Sequence, residues 1–206
     1  MAVLLAALVV AADIAARIFV QDRLAGYVRA STGARSASAR IESFPFLLHV
    51  VGSGTVERVD VTARGVPAGA LRIDKVEVIA RHVRIDRHDL VRDRRVVVGS
   101  IANADVTVWV TAAELTAVTG QAVSFSGSNA LRVKVDGVSL PLAVGIDNGH
   151  VLTLEAAGTR LASIDLATSG VIPTCHMLVE SWAGELRMSC HVAPVPEKVI
   201  AALSAR

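Results

Sequence analysis

Residues 41–51 read Ile41-Glu42-Ser43-Phe44-Pro45-Phe46-Leu47-Leu48-His49-Val50-Val51, in a chain that has only four Phe, two Trp and one Tyr. The apolar run predicts a strand, but proline lacks an amide proton and is confined within sheets to edges, first positions and bulges. In an extended chain Phe44 and Phe46 point to the same face. The segment is therefore expected to be either an ordinary edge strand with both rings in the core, or the lip of an apolar cavity.

The composition limits the class of protein. The 206 residues are 52% hydrophobic with a mean hydropathy of +0.52, yet only 3% are aromatic, so Ala, Val, Leu and Ile supply the apolar mass. A chain of this length fits one domain. A net charge of +2 and the scarcity of rings provide neither a basic face nor a stacking platform. No nucleic-acid partner is expected.

The first part of the chain, residues 1–12, contains no charged or polar side chain. This length suits the core of a signal peptide and is short for a bilayer span, which needs about 20 apolar residues. The sequence thus predicts an exported or membrane-anchored protein, outside the cytoplasm, with residues 13–206 as one domain. A buried core helix is the alternative. Beyond residue 12 the pattern becomes that of an amphipathic helix. Its predicted apolar face carries Ile14, Ile18, Ala25 and Val28.

The two cysteines also favour a location outside the cytoplasm. A hairpin that turns at Trp182-Ala183 and pairs Val179 with Leu186 places Cys175 opposite Cys190, with apolar residues along the shared face. A cross-strand disulfide is then geometrically reasonable, and two buried free thiols are the alternative.

Alternating apolar residues after the first helix predict long extended segments. Val106 and Val108 share a face of one segment, and a change of phase between Ile73 and Val76 indicates a bulge or bend. Thr111-Ala112-Ala113-Glu114 is a capping box that opens a short helix. The order of helix, many strands, short helix and further strands predicts an α+β domain dominated by antiparallel sheet.

The sequence contains no constellation typical of catalysis. It has no nucleophile elbow, Walker loop or dinucleotide fingerprint, and its six histidines form no zinc-binding helix motif. Cys175-His176 and Cys190-His191 do not readily make a zinc site, because neighbours in a strand point to opposite faces. No catalytic residue, metal or cofactor is expected.

Residues 81–95 are the most basic region, with six arginines against three aspartates. Their simplest interpretation is a solvated hairpin end. The functional alternative is contact with anionic lipid headgroups, because clustered Lys and Arg contribute about 1 kcal/mol each near a membrane surface. The residues predicted for this contact are Arg84, Arg87, Arg92, Arg94 and Arg95.

Together these features resemble the LmeA-type phospholipid-binding family of actinobacterial cell-envelope proteins. The resemblance is carried by Ala12-Asp13, Ser43-Phe44-Pro45-Phe46-Leu47, Val59-Asp60-Val61 and Val108-Trp109-Val110-Thr111-Ala112-Ala113-Glu114-Leu115. It covers most of residues 1–120. Members usually have Gly where this chain has Ser43, and often Thr-Gln where it has Leu48-His49.

The resemblance implies a long, curled antiparallel sheet wrapped around the N-terminal helix, similar to tubular lipid-binding (TULIP-like) domains, with an apolar groove for acyl chains. It also implies a role near the assembly of lipid-linked glycans of the lipomannan type. Strands rich in Ala and Val agree with this, since small side chains leave room for acyl chains, whose burial supplies about 0.8 kcal/mol per methylene. The residues expected to border the groove are Phe44, Phe46, Leu47, Val106, Val108, Ile18 and Leu24.

The leading prediction is a non-catalytic, monomeric protein that binds phospholipid or another acyl lipid at a membrane surface. An envelope structural or interaction module with a filled core is the alternative, and an apolar space large enough for acyl chains separates the two. A lipid-modifying enzyme, the third class, would need a nucleophile, a base and oxyanion donors at a pocket mouth.

Overall fold

The computed structural model describes residues 2–86, 88, 92, 97–126, 130–166, 175–182, 184–197 and 200. The helices within them are α1 (Ala2–Thr32), α2 (Phe46–Gly52) and α3 (Ala112–Thr119). The strands are β1 (Ser36–Ile41), β2 (Thr55–Ala68), β3 (Leu71–Ile85), β4 (Val98–Thr111), β5 (Ala122–Ser126), β6 (Ala130–Val135), β7 (Val138–Asp147), β8 (Val151–Ala156), β9 (Thr159–Asp165), β10 (Leu178–Trp182) and β11 (Glu185–Val192).

The protein is α+β and mostly antiparallel sheet, as predicted, but its strands form two sheets where the sequence predicted one. One has six strands in the order β1-β2-β3-β4-β11-β10, and the other has five in the order β5-β6-β7-β8-β9. Helix α3 lies between them in the chain. The predicted capping box starts this helix directly after β4, since the Thr111 amide donates to Glu114 Oε2 at 2.9 Å. The chain thus leaves the first sheet at that residue.

The central strands β2 and β3 change phase together. On β2 the buried side chains include Ala63 and then Val66, with Gly65 between them in the left-handed region at φ 66°. Ala63 pairs with Val76, and Val66 pairs with Ile73. The predicted irregularity between Ile73 and Val76 therefore lies directly across the ladder from this glycine, whose backbone conformation other residues rarely adopt.

Helix α1 packs along β1 and β2 and buries Val20 and Val28. The predicted apolar face is wrong in its first half, because Ile14 and Ile18 are 40% and 49% exposed while Asp13 is only 3% exposed. The reason is a hydrogen-bonding role for this aspartate, described below. The first turns of the helix therefore have Asp13 on the inner side and Ile14 and Ile18 outside, which apolar periodicity alone does not predict.

The apolar beginning of α1 does not form a buried core helix. The side chains described there are exposed, with Val3 at 83%, Leu4 at 75% and Leu8 at 71%. None of the helices in the described part of the chain has the length and hydropathy that a membrane span requires.

The disulfide is confirmed, and the predicted hairpin register is wrong by two residues. Val179 pairs with Met188 rather than Leu186, and Trp182 pairs with Glu185. Because side chains alternate with a period of two, this shift leaves every residue on its predicted face. The buried residues of β11 are Leu186, Met188, Cys190 and Val192.

The bond between Cys175 and Cys190 has a Cα–Cα distance of 6.1 Å and closes a loop with a sequence separation of 15. Cys175 precedes β10, so the bond ties the chain entering the edge strand β10 to β11. A loop of this size corresponds to a stabilisation of about 3 kcal/mol from the restricted unfolded chain.

Candidate lipid-binding site

The Phe-Pro-Phe segment is a turn followed by a helix, so the strand prediction is wrong. Strand β1 ends at Ile41, and α2 begins at Phe46 with Pro45 as its N-cap in extended conformation (φ −71°, ψ 126°). Proline suits the start of a helix because the first amides have no intrahelical acceptor and its missing proton costs nothing there. Pro45 makes no side-chain cap, however, and the amides of Phe46 and Leu47 need another acceptor.

Asp13 on α1 supplies that acceptor from a distant part of the sequence. Its Oδ2 accepts from the Phe46 amide at 3.0 Å, and its Oδ1 accepts from the Leu47 amide at 2.6 Å. The carboxylate is almost fully buried. This contact fixes α2 against α1. This role of Asp13 was not predicted, although a lone aspartate at the end of an apolar run indicates a residue with a specific partner.

The two faces of α2 have different environments. Phe46 and Val50, one turn apart, are 2% and 1% exposed. Phe44, Leu48 and Val51 are 62%, 69% and 59% exposed, and we call these three side chains the α2 face. The two rings therefore do not share a face, contrary to the prediction. A helical turn after Pro45 separates them, whereas an extended chain would align them.

A second apolar surface lies on the inner side of the six-stranded sheet, the side that α1 covers at β1 and β2. Val61 pairs with Ala39 on β1 and with Val78 on β3, and Val78 pairs with Val106 on β4. We call Ala39, Val61 and Val78 the inner strip. These three are only partly buried, although Val106 beside them is 1% exposed.

The inner strip has small, buried neighbours. Ala63 and Ala80 flank it along the strands and are 2% and 7% exposed. An apolar strip that stays partly exposed between buried neighbours is a surface on which another apolar group can be buried at a gain of about 25 cal/mol per Å². Such a surface suits an acyl chain.

The seven residues predicted to border the groove lie in three environments. Val106, Val108 and Phe46 are buried in the core. Leu24 and Leu47 are partly buried and pack against that core. Ile18 and Phe44 are exposed. Of the seven, Phe46 and Leu47 are held next to α1, because Asp13 accepts from their amides.

A cation lies on α1 one turn after Asp13. The Nε atom of Arg17 is buried and has no hydrogen-bond partner among the described residues. Asp13, Arg17 and Val20 follow one another at the spacing of a single helical face, and both Asp13 and Val20 are buried. A buried guanidinium nitrogen with a free donor is suited to an anionic oxygen, because unsatisfied buried donors are costly.

Of the arginines predicted to contact headgroups, Arg84 and Arg92 are exposed, whereas Arg87, Arg94 and Arg95 lie outside the described residues. Arg84 pairs with Thr55 at the start of β2. The adjacent Ile85 amide donates to the Gly54 carbonyl at 2.7 Å. Arg84 therefore lies beside the residues that follow α2.

The outer side of the same sheet is polar. Asp105 Oδ1 lies 2.6 Å from His191 Nδ1, and its other oxygen pairs with Arg81. The hydrogen bond with His191, together with the Arg81 guanidinium, holds the pKa of Asp105 below its ordinary value. On this side Lys75 Nζ also lies 4.1 Å from the centre of the Trp109 ring. The sheet therefore has one side for water and one for apolar contacts.

The lowered pKa of Asp105 predicts a specific loss of stability in acid. Because the folded state favours the ionised carboxylate, its contribution is present above the ordinary pKa of 3.8 and is lost as the pH falls below it. Asp105→Asn is expected to lower the free energy of unfolding at pH 6, and by less at pH 3. Urea unfolding at both values measures this, with Asp22→Asn on exposed helix surface as the control. An equal loss at both pH values would contradict the assignment.

The pKa of a second carboxyl group, that of Glu114, is also shifted, and this residue has a structural role. Burial raises the pKa of Glu114, but its carboxylate accepts from the amide and the hydroxyl of Thr111 at 2.9 and 3.0 Å and so completes the capping box. Within the residues that the structure describes, three or more His, Cys, Asp or Glu side chains nowhere converge as a metal site would need. Both cysteines are held in the disulfide, so neither is available as a zinc ligand.

Comparison with known proteins gives one family match. Neither curated proteins nor solved structures gave a significant match. The profile of the LmeA-like phospholipid-binding family matches residues 11–176, a range that begins just before Asp13 and includes α2 and the inner strip. The match extends over more than half of the 206 residues and confirms the predicted resemblance. The chain therefore belongs to the LmeA-like phospholipid-binding family.

Proposed function

We propose that this protein binds one phospholipid without chemical change, with an acyl chain against the inner strip of the six-stranded sheet. The observation that carries the proposal is the partial exposure of Val61 and Val78 between fully buried neighbours on an apolar side of the sheet. Each methylene transferred from water to this surface contributes about 0.8 kcal/mol. About ten methylenes at this value supply the roughly 8 kcal/mol to which micromolar binding corresponds.

The phosphate group is assigned to Arg17. Its buried Nε offers a donor that no described residue uses, and Arg17 shares a helical face with the buried Asp13 and Val20. An arginine fork matches phosphate oxygens and gives charge-assisted hydrogen bonds. Arg84 and Arg92 provide exposed cations for other anionic headgroups at the membrane surface.

The wider setting follows the family resemblance. We place the protein outside the cytoplasm at the cell envelope, as a monomer with a tubular, TULIP-like arrangement around the lipid, in support of lipid-linked glycan assembly of the lipomannan type. The disulfide between Cys175 and Cys190 supports an oxidising compartment, because such bonds rarely persist in the cytosol. The apolar residues 1–12 fit export or anchoring.

A fluorescence titration tests this function. A short-chain phospholipid with an NBD-labelled acyl chain, kept below its micellar concentration, should gain emission when the delipidated full chain is added. Arg17→Gln is expected to weaken this binding about tenfold, because it removes a charge-assisted contact to phosphate. Arg29→Gln, on the exposed side of the same helix, should bind as the wild type does.

The charge assignment has its own check. An NBD-labelled diacylglycerol, which lacks the phosphate, should bind wild type and Arg17→Gln equally. If the wild-type chain gave no change in emission with either probe, lipid binding at the inner strip would be wrong. If Arg17→Gln bound the phospholipid as tightly as the wild type, only the phosphate assignment would be wrong.

A further inference from the structure

Most of the exposed large apolar side chains in the described part of the chain lie on α1 or on and just before α2. The α2 face lies at the start of β2, since the helix is followed directly by that strand. Asp13 joins α1 to α2 at this end, and the turns of α1 that precede Asp13 expose Val9 and Val10 at 57% and 43%. Ile14, one residue after Asp13, adds a further exposed side chain.

From Asp13, α1 packs mainly along β1 and reaches the far part of β2, where Gly33 lies against Pro67. Just beyond the helix, the amide of Arg35 donates to the Arg64 carbonyl at 2.9 Å. The segment from Ala2 to Ala12 precedes the contact between Asp13 and α2 and is about 16 Å long at the rise of an α-helix. The side chains described in this segment are apolar and exposed. The protein therefore has an exposed apolar stretch of α1 next to the contact that holds α2.

Positive charge lies beside the same surface. Strand β3 ends against the residue that follows α2, through the hydrogen bond from Ile85 to Gly54, and Arg84 is exposed there. Arg84 belongs to residues 81–95, which contain six arginines and three aspartates in the sequence. The acidic Glu42 at this end is already paired with Arg40 and Arg58.

We propose that this end docks onto an anionic phospholipid bilayer, with the α2 face inserted at the boundary between headgroups and acyl chains. The inference rests on the proposed function, because a lipid-binding protein must exchange its ligand with a membrane. Apolar side chains on a short helix beside an exposed arginine, which belongs to an arginine-rich stretch of the sequence, suit an anionic interface. Through Phe46 and Val50, the buried side of the same helix joins the bilayer contact to the core.

The pattern of charge favours a bilayer over a second copy of the chain. A self-complementary contact would bring the exposed Arg84 side chains of two copies into one interface, which is unfavourable. An anionic bilayer instead attracts the arginines while it accepts the apolar side chains. The occupant of the α2 face is therefore assigned as lipid.

Vesicle binding of the full chain tests the docking surface. Leu48→Asp and Val51→Asp are each expected to lower partitioning into phosphatidylglycerol vesicles at least about tenfold. The matched controls are Leu178→Asp and Val138→Asp, which change side chains of comparable exposure, 60% and 59%, on the sheets. The controls should partition within about twofold of the wild type. Equal losses in both pairs would overturn the proposal.

A second measurement covers the case in which the apolar start of α1 alone holds every variant on the vesicles. Leu48→Trp should gain fluorescence that brominated phosphatidylglycerol quenches, whereas Leu178→Trp should gain fluorescence that it does not quench. Equal quenching of the two added indoles would contradict insertion of α2. A dimer that forms in the absence of lipid and dissociates in Leu48→Asp would identify a second copy as the occupant.

The monomeric NBD-phospholipid titration separates this inference from the proposed function. The docking variants should bind the soluble probe as the wild type does, because the inner strip is unchanged. Loss of vesicle binding alone supports docking through the α2 face. Failure of the wild type to bind the soluble probe, with vesicle docking intact, would remove the proposed ligand site and leave the membrane contact standing.

Discussion

Asp13→Ala is expected to lower the free energy of unfolding by about 2–4 kcal/mol and to loosen α2. The substitution leaves the amides of Phe46 and Leu47 without their acceptor at the start of a helix whose N-cap, Pro45, provides none. Each unsatisfied buried donor costs about 1–3 kcal/mol. Urea unfolding followed by circular dichroism measures the loss. Hydrogen exchange of the α2 amides shows whether it is concentrated there.

Two comparisons sharpen the Asp13 experiment. Asp13→Asn keeps one oxygen acceptor but turns an NH₂ group toward a second donor, so its loss should lie between wild type and Asp13→Ala. Asp22→Ala changes an exposed aspartate of the same helix and should stay within about 0.5 kcal/mol of the wild type. If Asp13→Ala were as stable as Asp22→Ala, the contact between α1 and α2 would not hold the segment in place.

Val78→Trp is expected to reduce phospholipid affinity by more than about tenfold while the protein remains folded. Val78 is the β3 member of the inner strip and is only partly buried, so an indole can occupy the surface that an acyl chain would cover. Blocking several methylenes at about 0.8 kcal/mol each removes more than one factor of ten. Affinity is measured by the NBD-phospholipid titration, and the retained fold by thermal unfolding.

Ile79→Trp is the matched control for the inner strip. Ile79 is the next residue of β3, is also partly buried and points to the opposite side of the sheet. It pairs with Asp105 on that polar side. Ile79→Trp should bind lipid as the wild type does. Normal affinity in Val78→Trp, or an equal loss in both variants, would show that the inner strip is not the binding surface.

Features determined by neighbours in the sequence were predictable. The capping box needs only Thr111 and Glu114, three residues apart, and the structure forms it. The hairpin that carries the disulfide is also local, and its faces were predicted although the register was wrong by two residues. Strand alternation placed Val106 and Val108 on a buried face for the same reason.

Features that depend on distant contacts were not predictable from one sequence. Residues 46–52 have the composition of a strand, and they form a helix because Asp13, 33 and 34 residues earlier, accepts from its first amides. That same contact buries Asp13 and leaves Ile14 and Ile18 exposed. Apolar periodicity alone had predicted that these two isoleucines point inward. The division into two sheets likewise depends on pairing between distant strands.

The inner strip shows a different limit of sequence reasoning. Alternation predicts which residues point inward, but it does not reveal that Val61 and Val78 remain partly exposed while Val76 and Ala80 beside them are buried. That difference depends on what covers the sheet. The candidate acyl surface therefore emerges only when strand register and burial are known together.

Native mass spectrometry of the full chain tests lipid binding most directly. After purification from a membrane fraction, or after incubation with phosphatidylglycerol vesicles, the wild type should carry the added mass of one phospholipid. Val78→Trp should show a much smaller lipid-bound fraction, and Ile79→Trp should match the wild type. A wild-type chain that shows only its own mass under both conditions would contradict phospholipid binding by this protein.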